Sequence, residues 1–341
     1  MNFETLRARL AKFPRRALAN YPTPLEPLER LARRANWQFA PQLWIKRDDQ
    51  IGPALGGNKA RKLEFLIADA QARGARKIVT FGGLQSNHAR MTAAVARQIG
   101  IEPHIFYFAK RPRELTGNLV MNVFLDARMH FIPFGGAGRN DLQFTNRLVR
   151  LLARVIVGDA YFIPVGGHNA LGCLGYVIGA LEIHAQVQSL GLRDVTVVTA
   201  VGTGGTLAGL LAGFALMDSP VRVLGIDVGK LWTNCPADIA RLANEICAML
   251  GEPRAFTARD VPIIQDRYCG DAYGVPSREV NAALRRVAEC EGIFLDPIYT
   301  GKAMAGLLDL IAQGKFARDA NVIFLHTGGA PGLFAFPEIA K

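Results

Sequence analysis

Three short segments carry residue types whose spacing could do chemistry. The first is Gly56-Gly57-Asn58-Lys59-Ala60-Arg61-Lys62, which puts a lysine at the start of a helical stretch, just after a glycine pair. The positive end of a helix disfavours an ammonium there and favours the neutral amine, the form that condenses with a carbonyl. A solvated surface lysine would carry the same local sequence. The second segment, Gly202-Thr203-Gly204-Gly205-Thr206, joins a β-branched run to an apolar helical one. Consecutive backbone N–H groups at a helix start form an anion cradle, and the Thr203 and Thr206 hydroxyls favour a phosphate over a plain tight turn. The third, Gly82-Gly83-Leu84-Gln85-Ser86-Asn87-His88, opens another helix. Its hydroxyl, amide and free N–H groups could receive a carboxylate, or Ser86 or Asn87 could simply be the N-cap. His88 could act as a base, or His88 and Arg90 could lie on the helix surface. His168 and His326 adjoin glycine turns and could line a cleft, whereas His104, His130 and His184 read as structural.

The second segment comes close to a dinucleotide fingerprint. Gly202 and Gly204 fit G-x-G-x-x-G, but Leu207 stands at the third glycine, and Asp227 is the residue that could meet a ribose. A P-loop is also close: Gly52 and Gly57 have its separation, but Asn58 intervenes before Lys59.

These segments are positioned by alternating strands and helices. Residues 43–49, 77–83, 103–109, 130–136, 161–167, 195–202, 221–229 and 321–329 read as strands. Residues 60–74, 86–100, 118–129 and 172–191 read as helices. Apolar strands alternating with helices predict an α/β fold with mainly parallel sheets covered on both faces. Four of the strands run into glycine turns at 82–83, 166–167, 202–205 and 328–329, and ligands of open α/β sheets bind at such carboxyl ends.

The chain of 341 residues is half hydrophobic, enough to bury a core and to exclude a disordered chain or a small disulfide scaffold. Its net charge of +11 is spread out, densest between Arg7 and Arg34. No basic run has interleaved aromatics, so a small anionic ligand is expected rather than nucleic acid. The five cysteines never form C-x-x-C, which fits a reducing, cytoplasmic setting and no metal site. The N-terminus lacks an apolar core, so no secretory signal is expected. The uncharged run 195–217 is long enough to span a bilayer, but its glycine cluster predicts a buried strand, loop and helix, and no membrane partner.

Together the pieces resemble fold-type II pyridoxal-phosphate enzymes, in the branch of 1-aminocyclopropane-1-carboxylate deaminase and D-cysteine desulfhydrase. The resemblance rests on PTPLEPLERL (23–32), WIKRDD (44–49), GGNKARKLEFL (56–66), QSNHARMTAAVA (85–96), IPVGGHNALGCLGY (163–176), VGTGGTLAGL (201–210), YGVP (273–276), LDPIYTGKAMAGL (295–307) and HTGGAPGLF (326–334).

The resemblance implies two open parallel sheets. Residues 1–50 and 165–341 would form a larger domain, and 51–164 a smaller one inserted into it, with the site in the cleft. Lys59 would hold pyridoxal 5'-phosphate as a Schiff base and act as the base at Cα. Gly202, Thr203, Gly204, Gly205 and Thr206 would bind the phosphate, Asn87 the ring hydroxyl, and Thr300 the pyridine nitrogen. Ser86, Asn87 and His88 would receive the substrate carboxylate, while Tyr273 and Tyr299 project beside the substrate and Thr327 contacts it. The deaminases carry Glu and Leu where Thr300 and Thr327 stand. The implied reaction is therefore α,β-elimination from a small β-substituted amino acid, D-cysteine first. L-cysteate, D-serine, β-chloroalanine and aminocyclopropane carboxylate are the alternatives. A homodimer is the family's usual assembly.

Overall fold

In a computed structural model the described residues are 1–34, 41–133 and 140–340. The strands are β1 (Leu25–Pro27), β2 (Gln42–Lys46), β3 (Lys77–Gly82), β4 (Glu102–Tyr107), β5 (Arg128–Phe131), β6 (Tyr161–Phe162), β7 (Val195–Val201), β8 (Arg222–Asp227), β9 (Ile263–Ile264) and β10 (Asn321–Leu325). The helices are α1 (Phe3–Leu10), α2 (Glu29–Arg34), α3 (Lys59–Ala72), α4 (Asn87–Gln98), α5 (Asn118–Phe124), α6 (Leu142–Ile156), α7 (Ala170–Ser189), α8 (Gly205–Leu216), α9 (Cys235–Met249), α10 (Arg278–Glu291), α11 (Thr300–Ala312) and α12 (Ala330–Leu333).

Two sheets result. One has six strands in the order β1-β2-β10-β7-β8-β9, and the other four in the order β5-β4-β3-β6. Every pairing is parallel except β1 with β2 at the edge. That edge tolerates Pro27, which donates nothing to a ladder. The expected α/β architecture of two mainly parallel sheets flanked by helices is what forms. β10 is buried throughout and β7 nearly so, because both lie inside the larger sheet with helices on each face.

The uncharged run 195–217 is β7, a turn and α8, as expected. α8 packs between α7 and α9. α7 is itself long and apolar enough to cross a membrane, but most of it is buried against α3, α8 and α9. The helix expected over 118–129 ends at Phe124. Asp126 takes φ 46° there, and the chain turns directly into β5. The strand expected at 130–136 extends into residues 134–136, which lie outside the described residues. The 161–167 segment keeps only two strand residues, because Gly166 and Gly167 both take positive φ.

α3 is anchored from behind by a buried ionic network. Arg61 Nε and Nη2 donate to Asp48 at 2.7 and 2.8 Å, and Arg61 Nη1 donates to Glu182 at 2.9 Å. Lys46 also pairs with Glu182, and Tyr176 Oη donates to Asp48 at 2.7 Å. Two cations against two carboxylates leave the network neutral, which is what permits its burial.

Candidate active site

The carboxyl ends of β3 and β7 face one cavity of about 440 Å³. Lys59, Ser86, Asn87, His88, the whole 202–206 loop, Tyr273, Tyr299 and Thr327 line it. Of the residues to which the resemblance gives a role, only Thr300 is missing from this lining.

Lys59 follows four consecutive residues with positive φ: Ala54, Leu55, Gly56 and Gly57. Ala54 and Leu55 are costly there, so surrounding contacts must hold the loop. Arg90 does so. It is fully buried and donates to the carbonyls of Ala54 and, at 3.0 Å, of Gly56. The surface reading of His88 and Arg90 is therefore corrected, since the helix face that carries them is turned inward. Gly57 N and Asn58 N donate to Ile51 O and Thr327 O at 2.8 and 3.0 Å. The Lys59 amine makes no hydrogen bond or ion pair among the described residues. Burial first, and then the nearby Lys62 charge, push its pKa well below 10.5, toward the neutral amine.

The 202–206 loop is built as a cradle. Gly204 is the N-cap of α8 with φ +82°, and no side chain caps the helix, so its first amides stay free for a ligand. A Cβ on Gly204 would stand 2.4 Å from Ile239. Thr206 Oγ1 accepts from Asn58 Nδ2 at 3.1 Å, tying the cradle to the lysine loop.

Lys62, which the sequence reading passed over, completes the cradle. Its side chain is buried and donates to Gly166 O at 3.1 Å, and Nζ lies 2.7 Å from where a Gly205 Cβ would be. No carboxylate neutralises it, and burial lowers its pKa. Its spacing of three residues from Lys59, on one helix face, was the available signal.

Ser86 is the N-cap of α4, its Oγ accepting from Ala89 N at 3.2 Å. Asn87 Oδ1 accepts from Asn118 Nδ2 at 3.0 Å, which leaves the Asn87 amide as a donor toward the cavity. His88 Nε2 meets Thr80 Oγ1 at 3.0 Å, and that hydroxyl donates its proton to Ile163 O at 2.9 Å. Nε2 must therefore be the donor, and Nδ1 is a bare, buried lone pair. Burial and the two lysines hold the ring neutral. A lone pair repels a carboxylate, so the expected substrate contact through the His88 side chain is corrected, and only its backbone N–H remains for that role.

Tyr273 and Tyr299 share a short hydrogen bond between their hydroxyls. The Tyr273 ring edge would lie 2.7 Å from a Gly83 Cβ, and the Tyr299 ring 3.3 Å from a Gly202 Cβ, so both glycines make room for them. Burial raises both phenol pKa values, that of Tyr273 to about 12. Thr300 is a further correction. Its hydroxyl donates to Asp296 Oδ2 at 2.8 Å and accepts from Asp296 N at 2.8 Å, locking the first turn of α11. With its proton already given away, it cannot donate to a pyridine nitrogen. Thr327 does reach the cavity, with a hydroxyl that has no partner among the described residues.

The alternatives fare differently. Asp227 Oδ1 accepts from Gly229 N and Lys230 N at 3.1 and 3.3 Å, which caps a turn, and Asp227 does not line the cavity. His326 is tied to Phe294 O at 3.1 Å, away from the cavity. His168 lines a second cavity.

An unpaired amine opposite an oxyanion cradle, between two parallel sheets, suits an enzyme that holds a phosphorylated aldehyde. The sequence matches the family described as pyridoxal-phosphate dependent enzyme over residues 17–328, and the chain belongs to that family. It is 40% identical to a D-cysteine desulfhydrase of Yersinia enterocolitica serotype O:8 / biotype 1B (strain NCTC 13174 / 8081), over 98% of this chain and 100% of the relative. It is 40% identical to a D-cysteine desulfhydrase of Salmonella schwarzengrund (strain CVM19633), over 96% and 97%. A crystal structure of an ACC deaminase homologue superposes with a TM-score of 0.85 at 32% identity, covering 98% of this chain and 97% of that one. A fungal L-serine ammonia-lyase from Rhizomucor miehei shares the fold, with a TM-score of 0.64. The enzyme is pyridoxal-phosphate dependent, and its residues fit that cofactor. Lys62 is a buried cation lacking a carboxylate counter-ion beside Gly205, and the first amides of α8 have no side-chain cap.

Proposed function

We propose that the enzyme is a lyase that converts D-cysteine and water to pyruvate, hydrogen sulfide and ammonia. The observation that carries the reading is the free Lys59 amine, held toward its neutral form in the cavity that also contains the Tyr273–Tyr299 pair. The substrate follows from the relatives named D-cysteine desulfhydrase at 40% identity.

Lys59 would hold the cofactor, the 202–206 cradle with Lys62 its phosphate, and Asn87 its ring oxygen. Bound there, pyridoxal phosphate supplies an electron sink for the bond broken at the substrate Cα. The Ser86 hydroxyl and the free amides at the start of α4 receive the carboxylate. Once displaced, the Lys59 amine takes the Cα proton, because its lowered pKa leaves a lone pair available. Tyr299 stays protonated because its pKa is raised, and it hands a proton to the departing sulfur while Tyr273 holds its hydroxyl in place. Thr327 meets the polar β-substituent.

The same reading includes a smaller lobe, 51–164, carrying Lys59, and a larger one formed by 1–50 and 165–341. It also includes a homodimer and a cytoplasmic setting, the last supported by five free, buried cysteines. The test is keto-acid release from D- and L-cysteine, D-serine, L-cysteate and aminocyclopropane carboxylate. D-cysteine should give the highest kcat/KM. Preferential opening of the cyclopropane would replace the reading with deamination.

A further inference from the structure

Behind the phosphate cradle lies a second cavity of about 280 Å³, walled by α6 on one side and α9 on the other. From α6 it takes Gln143, Asn146, Arg147 and Arg150, the i, i+3, i+4, i+7 face of one helix. From α9 it takes Arg241 and Glu245, which pair with each other. Arg147 has no hydrogen bond or ion pair among the described residues, and Arg150 has only the Phe162 ring, 5.1 Å away. Arg147 and Arg150, both exposed, thus face the cavity without an ion pair, and the cavity's carboxylate, Glu245, is already paired with Arg241.

His168 also lines this cavity. It is 4% exposed, and neither ring nitrogen makes a well-aligned hydrogen bond, although the Thr203 backbone lies close enough to act on the ring. Buried polar atoms are rarely left bare, so a side chain with both ends unsatisfied points to a missing ligand. Burial first, and then the Lys62 charge, bring its pKa to about 3, so the ring is neutral and offers one N–H donor. Its Nδ1 lies 3.4 Å from where a Gly205 Cβ would be, which places the ring between this cavity and the cradle.

We propose that the cavity between α6 and α9 binds a small divalent oxyanion of the sulfate or phosphate type, held by Arg147, Arg150 and the His168 N–H. Two unpaired guanidinium groups match a double negative charge, and tetrahedral oxygens suit their planar forks. The site would also reach the reaction. α6 presents Phe144, Thr145 and Leu148 to the first cavity while presenting Arg147 and Arg150 to the second. An anion that clamps the arginine face toward α9 fixes the wall at the mouth of the first cavity.

The test is calorimetric titration of the cofactor-loaded full chain with sodium sulfate and with potassium phosphate, at an ionic strength held constant with chloride. Loading keeps the cradle filled, so a second anion cannot report on it. One saturable site per chain is expected, weakened tenfold or more in the double variant Arg147→Gln, Arg150→Gln. That variant should keep its cofactor content and its turnover in chloride. Saturating anion should shift the KM of the wild type and leave that of the variant unmoved. Absence of saturable heat, or equal affinity in the variant, overturns the site. Binding without a change in KM overturns its coupling to the catalytic cavity. Neither result bears on which amino acid is eliminated.

Discussion

Lys62→Met should move two quantities in opposite directions. Lys62 is a buried ammonium whose one hydrogen bond goes to Gly166 O, and the nearest group that offsets its charge is Cys173, which is no carboxylate. In the cofactor-free chain this is an uncompensated buried cation, a costly feature. In the loaded chain a phosphate in the 202–206 cradle neutralises it. A charge-assisted hydrogen bond contributes roughly 1.5–3 kcal/mol. Its loss should therefore weaken cofactor binding by about 10- to 150-fold, at tenfold per 1.4 kcal/mol. Methionine fills a similar volume without charge, so the cofactor-free variant should unfold at the same temperature as the wild type or higher.

The pH dependence gives a second handle. Lys62 in the folded chain titrates below 10.5, so between its folded and unfolded values the unfolded chain binds the extra proton. Stability of the cofactor-free wild type must then rise as the pH climbs through that window, and Lys62→Met should flatten the rise. Cofactor affinity is read from the fluorescence of the bound ring, and stability from thermal unfolding of the cofactor-free protein. A variant that keeps full cofactor affinity, or loses stability in the cofactor-free state, refutes the idea that Lys62 waits for a phosphate.

Other outcomes follow from the same geometry. Lys59→Ala should fold, since Ala suits the first turn of α3, yet lose the visible absorption of the bound cofactor and nearly all turnover; wild-type spectra and rates would remove Lys59 from its role. Thr327→Leu should shift the kcat/KM ratio from D-cysteine toward aminocyclopropane carboxylate by one to two powers of ten, about 1.4–2.8 kcal/mol of transition-state binding, and an unchanged ratio would count against a substrate contact there. Asp48→Asn should cost about 3–5 kcal/mol by urea unfolding, because it strips Arg61 of a buried partner; a loss under 1 kcal/mol would show the network to be dispensable. Burial alone would raise the Asp48 pKa, but Arg61 holds it below the usual carboxylate range. Its contribution is thus present above the unfolded carboxylate value and lost as the pH falls through the folded one.

The parallel sheets and the glycine turns were legible because they leave a local trace. An apolar run bounded by glycine has few other readings, and the turns at 82–83 and 202–205 do meet at one cavity. α6, α9 and α10 went unread, although α6 and α10 are strongly amphipathic and carry Asp141 and Ser277 as N-caps. Helices with a solvent face carry neither a continuous apolar run nor a chemical motif. The ends of α5 and β6 were misjudged for a different reason. Asp126 at φ 46° and Gly166 at φ 66° break those segments where apolar pattern alone would continue them.

The residues around the cavity divide in the same way. Lys59 and the 202–206 loop were legible because their chemistry is written next to a turn. Arg90, Lys62 and the true state of His88 were not, because each is defined by what lies across the fold. Arg90 looks like a surface charge until Ala54 and Leu55 are seen in the left-handed region, where the loop needs a fixed donor to hold it. The tautomer of His88 depends on where Thr80, eight residues away in β3, sends its proton. Thr300 and Thr327 stand as equals in the sequence, yet Asp296 consumes one hydroxyl and leaves the other open. Of the two threonine hydroxyls, the one left open toward the cavity is therefore that of Thr327, because Asp296 holds the other inside the turn.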